Sequence, residues 1–259
     1  MPASEAPPLI ELQNVDKRFS SGLLALAGMS LSVRSGEFVS VVGPSGCGKS
    51  TVLRLVAALD EPSAGTVRSP TRGKDGAIAF VFQEPTLMPW ASVFDNVWLP
   101  LRLQGVSRAE AEPRVSETLS GVGLAEFEGA YPSQLSGGMK MRASIARALV
   151  VRPKVLLMDE PFAAVDDITR QRLNADLLRC WHGQSMGAMF VTHNVGEAVF
   201  LSQRVLVLSA RPGSVLHEVS IDEPYPRGAA FRHSAAYAGA CRMLGAALEA
   251  AVQSASALQ

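Results

Sequence analysis

Runs of apolar residues with two different spacings alternate along the chain and predict an α/β fold. The segments 9–14 and 24–33 have the alternating or clustered apolar residues of short strands. Phe38–Val42 predicts a buried strand, and from Lys49 the apolar residues recur at helical spacing. The alternation continues with strands predicted at 78–82, 155–159, 188–192 and 204–209 and helices at 137–150, 168–181 and 195–201. Strands that alternate with helices form parallel sheets, so we expect a mostly parallel core covered by helices.

A long segment without strand patterns interrupts this alternation and predicts a helical insertion. Ser107 and Glu110 have the spacing of a capping box at a helix start. Pro113, inside that helix, is expected to kink or shorten it. Near the end of the chain, an Ala-rich tail with few charges has helical periodicity. The predicted boundaries are residues 1–228 for the main domain, about 92–150 for the insertion within it, and 229–259 for the helical tail.

Composition and charge exclude several classes of protein. The chain of 259 residues has 24 Lys plus Arg and 24 Asp plus Glu, without the basic excess typical of non-specific nucleic-acid binders. No apolar run approaches the roughly 20 residues that span a bilayer, and the N-terminus lacks the basic and apolar regions of a secretion signal. The 3 cysteines form no CxxC pair, which suits free thiols in a reducing compartment. We therefore expect a soluble cytosolic protein that binds no nucleic acid.

A glycine-rich loop between the strand at 38–42 and the following helix matches the phosphate-loop pattern in full. Its glycines let backbone N–H groups turn toward phosphates, and the helix N-terminus adds partial positive charge. Lys49 can reach the outer phosphates, and Ser50 offers a hydroxyl to Mg²⁺. Cys47 lies at the same helix N-terminus, which predicts a lowered thiol pKa and inhibition by alkylation, and the alternative is a small residue that simply fits the loop. The predicted ATP-binding residues of the loop are Gly43, Pro44, Ser45, Gly46, Cys47, Gly48, Lys49, Ser50 and Thr51.

Two acids, Asp159 and Glu160, follow the apolar run 155–158. The carboxyl edge of an α/β sheet is where ligands bind, so Asp159 is predicted to order the Mg²⁺ shell. Glu160 is then a candidate general base for a water that attacks the γ-phosphate. With the phosphate loop, these residues predict a P-loop NTPase, which leaves kinases, helicases and transport ATPases open.

A second glycine-rich helix start follows about ninety residues after the phosphate loop. Ser136, Gly137 and Gly138 open the helix predicted at 137–150 and leave backbone N–H donors available for an anion. A second anion-binding helix start would have a function if it covered the phosphates of a nucleotide bound to a neighbouring subunit. Taken alone, the same residues also fit an ordinary serine cap followed by flexible glycines.

These three motifs, in this order and spacing, make the chain resemble the ATP-binding subunits of ABC transporters over roughly residues 9–215. The resemblance implies a P-loop NTPase of ABC type, with an N-terminal antiparallel β subdomain, a mostly parallel core sheet and a helical insertion. It further implies ATP and Mg²⁺ as cofactors and a head-to-tail homodimer. Each nucleotide would lie between one phosphate loop and the Ser136–Gly138 segment of the other chain.

Four further positions match functional residues of that family. The resemblance implies that Gln83 contacts Mg²⁺ and the attacking water, and that His193 senses the γ-phosphate. Phe19 lies where the family keeps an aromatic ring against adenine, and residues 163–166 resemble the loop that crosses the dimer interface. A structural histidine and an ordinary core phenylalanine are the alternatives for His193 and Phe19. Asn194 stands where the family usually has Asp, which removes one charge beside His193.

Longer stretches resemble the nitrate, sulfonate and taurine importer subfamily, at 81–90, 135–141 and 207–213. The resemblance implies an importer ATPase that lies peripherally at the cytoplasmic face of the inner membrane. Its partners would be integral-membrane permease subunits and, indirectly, an extracytoplasmic substrate-binding protein. The solute would be small, for example an anion such as nitrate, sulfonate or taurine.

In such importers a permease helix docks in a groove beside the glutamine loop and the helical insertion. Leu87, Met88 and Trp90 suit that groove, and simple packing of the insertion onto the core is the alternative. Two other functions share the ATP motifs. A soluble non-transport ABC ATPase would usually carry a long coiled coil or two cassettes, and a P-loop small-molecule kinase would not need the second glycine-rich helix start.

Overall fold

The computed structural model describes residues 7–70 and 77–256. Residues 1–6, which belong to the segment in which the sequence predicts no secretion signal, and the last three residues of the tail lie outside the described residues. The strands are β1 (Ile10–Arg18), β2 (Leu24–Val33), β3 (Phe38–Val42), β4 (Ala64–Arg68), β5 (Ile78–Val81), β6 (Val155–Asp159), β7 (Gly187–Val191), β8 (Arg204–Leu208) and β9 (Val215–Ser220). The helices are α1 (Lys49–Val56), α2 (Val93–Leu103), α3 (Arg108–Gly121), α4 (Gly137–Leu149), α5 (Asp167–Trp181), α6 (Val195–Leu201), α7 (Ala229–Arg232) and α8 (Ala235–Ser256).

Two sheets organise these elements. The smaller sheet is antiparallel, in the order β2-β1-β4, and the larger has the order β5-β6-β7-β3-β8-β9. Pairing within the larger sheet is parallel from β5 to β8, and β9 joins β8 in antiparallel orientation. The expected α/β fold, with its mostly parallel core and N-terminal antiparallel sheet, is therefore confirmed.

Strand order brings three loops together at one edge of the larger sheet. Strands β3 and β6 both pair with β7, and all three run parallel. They are almost fully buried, as expected for strands covered on both faces. Their carboxyl ends therefore place the phosphate loop, Asp159 and His193 side by side, although long stretches of sequence separate them.

The helical insertion is formed by α2, α3 and α4. The capping box predicted at Ser107 is present, with Glu110 as its reciprocal partner. Pro113 does not shorten α3, which continues for two turns beyond it. We attribute this to packing, because the apolar side chains Ala111, Val115 and Leu119 are buried along one face of the helix and outweigh the single hydrogen bond that proline removes.

The tail packs against the main domain through α6, β8 and β9. Leu244 and Ala251 of α8 are fully buried in the same core as the larger sheet. The buried guanidinium of Arg227 donates hydrogen bonds to carbonyls at the C-terminus of α6, namely those of Val199, Phe200 and Ser202. Across the described part of the chain, no helix is long and apolar enough to cross a membrane.

Candidate active site

The phosphate loop turns sharply between β3 and α1, and glycine is required at its last turn. Gly48 has a φ of 105°, and a Cβ there would lie 2.7 Å from the Leu26 side chain. The Lys49 ammonium donates 2.9 Å hydrogen bonds to the carbonyls of Gly43 and Pro44. The loop therefore holds a buried positive charge next to its own backbone N–H groups, which is the arrangement that binds a phosphate chain.

Cys47 does not have the reactive character that its place at a helix N-terminus predicts. Its side chain is 1% exposed, and burial raises the pKa of the thiol, against a smaller opposing effect of the Lys49 charge. The prediction of a lowered thiol pKa is therefore wrong. The residue packs closely against Gly43, where an added Cβ would lie 3.0 Å from Sγ. Cys47 fills space inside the loop.

Ser50 and Asp159 come together from different ends of the chain. The Ser50 hydroxyl donates a 3.0 Å hydrogen bond to Asp159 Oδ1. Burial raises the pKa of Asp159, and the Ser50 hydrogen bond opposes that rise. A hydroxyl and a carboxylate oxygen this close fit Mg²⁺, which binds proteins through few oxygens and shares its other ligands with phosphates and water. The described residues hold no cluster of three His, Cys, Asp or Glu that would form an all-protein metal site.

Glu160 and His193 form a pair at the ends of neighbouring strands. His193 Nδ1 lies 2.9 Å from Glu160 Oε2, and the backbone N–H of Glu160 donates to the carbonyl of Val191. Glu160 adopts a φ of 46°, a left-handed conformation that a non-glycine residue rarely takes. The surrounding strands thus hold the carboxylate in a strained but defined orientation, with the imidazole directly beside it.

A cavity of about 320 Å³ lies over the phosphate loop and extends toward the antiparallel sheet. Phe19 lines this cavity, as do Lys49, Ser50 and Glu160. The sequence had not suggested Arg211, which also lines it and donates a 3.2 Å hydrogen bond to the carbonyl of Gly46. Its sequence signal is its place in the stretch 207–213, which resembles the importer subfamily.

Several predicted site residues do not line this cavity. Asp159 and His193 lie just behind it, hydrogen-bonded to the lining residues Ser50 and Glu160. Gln83 is exposed in the loop after β5, at the same edge of the sheet but not among the lining residues. Ser136 caps α4 by accepting the Met139 N–H at 3.3 Å, and both Ser136 and Gly137 are exposed. One chain therefore collects the phosphate loop, Ser50, Asp159, Glu160 and His193, but not the second glycine-rich helix start.

Comparisons with known proteins indicate the family to which the chain belongs. A family model described as "ABC transporter" matches residues 26–163. The nitrate import ATP-binding protein NrtD of Synechocystis sp. is 47% identical over 213 residues, which cover 81% of this chain and 79% of that protein. The aliphatic sulfonates import ATP-binding protein SsuB 2 of Burkholderia cenocepacia is 45% identical over 228 residues, covering 87% and 83%.

A solved structure extends the agreement to three dimensions. The dimeric ATP-binding cassette MJ0796, described in a post-hydrolysis state with ADP and Pi, superposes with a TM-score of 0.72. It is 32% identical, and the match covers 83% of this chain and 100% of that one. The chain therefore belongs to the ABC transporter family, as an ATP-binding and ATP-hydrolysing cassette.

Proposed function

We propose that the chain is the ATPase subunit of an importer for a small solute, an anion such as nitrate, a sulfonate or taurine. The observation that carries the catalytic part is the separation of the two glycine-rich helix starts. The phosphate loop lines a cavity, whereas Ser136 and Gly137 are exposed on α4 and do not line it. A second copy, placed head to tail, would bring its Ser136–Gly138 over that cavity and complete the site.

In such a head-to-tail dimer, each predicted site residue has a chemical role. Lys49 and the loop N–H groups neutralise the phosphate charges, and Ser136–Gly138 of the second copy adds donors from the other side. Glu160 takes the proton from the attacking water, and His193, bonded to it through Nδ1, fixes the direction of the carboxylate. Mg²⁺, held by Ser50 and Asp159 with Gln83 reaching it on closure, would supply charge neutralisation at the outer phosphates. Phe19 supplies a face for adenine beside the cavity.

The importer part is supported by the relatives named for nitrate and aliphatic sulfonate import. It requires a permease partner, and the structure offers a groove of about 480 Å³ between β5, α2 and α4. Phe82 and Leu103 line the groove, and Leu103 is 79% exposed. These residues suit an amphipathic permease helix, because such helices bury their apolar face in apolar grooves.

The residues expected from the sequence do not line this groove. Trp90 is 77% exposed but lies outside the lining, and Leu87 packs partly buried against the core. Met88 exchanges backbone hydrogen bonds with the buried Asn96 side chain. Of these residues, Leu87 attaches this segment to the core and Met88 ties it to α2, whereas the apolar side chains of β5 and α2 form the groove.

Arg147 connects the groove to the loop that carries Gln83. Its guanidinium lines the groove and donates hydrogen bonds of 2.9–3.0 Å to the carbonyls of Pro85 and Thr86. A helix that enters the groove would therefore press on the loop two residues beyond Gln83. This contact is a direct route from a permease to the catalytic edge of the sheet.

In this proposal, residues 1–228 form the ATPase domain, with 92–150 inserted, and residues 229–259 form a tail. The protein lies peripherally at the cytoplasmic face of the membrane, on its permease. Through the permease it serves an extracytoplasmic substrate-binding protein.

The test is purification of the tagged chain from its native membranes in mild detergent, followed by mass spectrometry of the copurifying proteins. We expect an integral-membrane permease in about equal amount, and Leu103→Glu should release it because a charge in an apolar groove is costly. Phe127→Glu, on another exposed apolar residue, is the matched control. A complex with no membrane protein would instead support a soluble ABC ATPase.

A further inference from the structure

Glu197 is a buried acid for which the proposed chemistry gives no direct task. It lies on α6, four residues after His193, and is 5% exposed. Its Oε2 accepts a short hydrogen bond from the Thr192 hydroxyl. Its Oε1 has no hydrogen-bond partner among the described residues and lies 3.7 Å from Arg170 Nε. A buried carboxylate with one unpaired oxygen lowers the free energy of unfolding. If stability were the only requirement, an apolar residue at this position would be more favourable.

On one side, Glu197 supports the backbone around His193. The Thr192 hydroxyl that donates to Glu197 also accepts the backbone N–H of Asn194 at 3.0 Å. Thr192 and Asn194 are the two chain neighbours of His193, so this hydroxyl closes the turn that carries the imidazole. Removing the carboxylate would free the hydroxyl to rotate and loosen the turn.

On the other side, Glu197 faces the residue that fixes the loop after Glu160. Arg170 donates to the carbonyl of Val165 at 2.8 Å and to that of Phe162 at 3.3 Å. Phe162 is two residues beyond Glu160 in sequence. The guanidinium thus ties this loop to α5. Its charge is shared between Asp167, an exposed carboxylate hydrogen-bonded to it at 2.8 Å, and Glu197, the buried carboxylate 3.7 Å away.

We propose that Glu197 is a positioning residue for ATP hydrolysis. It holds His193 through Thr192 and the loop after Glu160 through Arg170, so the 2.9 Å pair of Glu160 and His193 is supported from both sides by one carboxylate. The inference rests on the proposed roles of Glu160 and His193. It assigns Glu197 no contact with nucleotide, so Glu197 affects turnover and leaves ATP binding unchanged.

Two substitutions distinguish the interaction of Glu197 with Thr192 from its interaction with Arg170. Glu197→Gln keeps the shape and an oxygen that can accept from Thr192, but removes the charge beside Arg170. Glu197→Ala removes both interactions. With the full chain and MgATP, we expect kcat to fall about 10-fold for Gln and about 100-fold for Ala, the range found when supporting residues around a reactive group are removed. The dissociation constant for MgATP, measured by titration calorimetry, should change less than about twofold.

The matched control is Glu37→Gln. Glu37 is another buried glutamate, paired with Arg204 at 2.5 Å at the start of β3, away from the cavity. This variant should lower the melting temperature, because it breaks the pair with Arg204, and should leave kcat unchanged. Thr192→Val should also lower kcat, because it removes the hydrogen bond to Glu197 and the one from the Asn194 N–H. Combined with Glu197→Ala, the two losses should be less than additive, because the substitutions share the Thr192–Glu197 hydrogen bond.

The outcomes are distinguishable. Wild-type kcat in a folded Glu197→Gln variant overturns the inference, as does an equal fall of kcat in Glu37→Gln. A rise in the MgATP dissociation constant that accounts for the whole loss of activity also overturns it. If Glu197→Ala does not fold, the isosteric Gln variant decides alone. Absence of MgATP hydrolysis by the wild-type chain would instead reject the proposed function, before Glu197 is considered.

Discussion

The helix starts at α1 and at α4 are both rich in glycine, but they differ in exposure. The start at α1 lines a cavity, whereas the start at α4 is exposed to solvent. At α1, Lys49 is buried and bonded to the loop carbonyls, and other elements of the same chain complete the cavity around it. At α4, Ser136 and Gly137 are exposed, and the Ser136 hydroxyl caps its own helix by accepting the Met139 N–H. A helix N-terminus thus becomes a binding site only when other groups surround the anion. At α1 this chain supplies them, and at α4 we propose that a second copy does.

The largest expected effect is that of Glu160→Gln. Loss of the base should lower kcat by about 10² to 10⁴, because general-base catalysis contributes that much. ATP binding should persist, so the variant should hold the two helix starts together around unhydrolysed ATP. Size-exclusion chromatography with MgATP should show a stable dimer. Wild-type turnover, or a monomer with ATP bound, would contradict the assignment.

Mixing two inactive variants tests whether each active site combines the α1 helix start of one chain with the α4 helix start of the other. Lys49→Ala should weaken ATP binding about 10- to 100-fold, as expected for loss of hydrogen bonds from a charged group. Gly137→Asp should block the second helix start without disturbing the fold, because a Cβ there meets nothing within 4 Å. Each variant alone should hydrolyse almost no ATP, and their mixture should regain activity through one intact composite site.

Gly129→Asp is the matched control for that mixture, since a Cβ at Gly129 also meets nothing within 4 Å and the residue is exposed. It should leave activity unchanged. If the mixture of Lys49→Ala and Gly137→Asp stays inactive while the heterodimer forms, each site is built within one chain. The proposal that the α4 helix start serves a second copy is then wrong.

A smaller effect is expected on the melting temperature when Asp159, which is hydrogen-bonded to Ser50 of α1, is replaced. Burial raises the pKa of Asp159, so the folded state binds its proton more tightly than the unfolded state does. The stabilising effect of this proton is fully present below the unfolded pKa and is lost as pH rises through the folded pKa. Asp159→Asn should therefore raise the melting temperature without nucleotide, by a few degrees at pH 8 and by less at pH 4. Differential scanning calorimetry at both pH values measures this, and MgATP hydrolysis should be lost. An equal shift at both pH values would show that the ionised carboxylate is not the cause.

The smallest effect concerns Cys47. Because burial raises the pKa of this thiol, its alkylation at pH 7 should be much slower than that of an exposed thiol. Cys47→Ala should keep kcat within about threefold, since a small residue still fits the loop. Mass spectrometry after timed exposure to N-ethylmaleimide measures the labelling. Rapid labelling of Cys47 that ATP prevents would restore the reactive-thiol interpretation.

Local features of this protein were predictable because short-range interactions decide them. The phosphate loop is contiguous, and the helix starts at Ser107 and Ser136 depend on hydrogen bonds that span three residues. The strand at Val155–Asp159 was predicted within its observed bounds, because five successive residues are nearly all apolar and buried. Strands β4 and β9 were missed. They are mostly exposed edge strands with polar residues, and only pairing with β1 and β8 makes them strands.

The sequence by itself determined which chemical groups this protein has and where its helices and buried strands begin. Only the tertiary structure decided which of those groups meet. It brought Arg211 to Gly46, paired His193 with Glu160, and left Ser136 exposed and outside the cavity lining. It also buried Cys47 and so reversed the pKa expected from its helix. The physical reason is that solvation and long-range contacts depend on strand order, whereas a motif contains only the interactions between near neighbours in the chain.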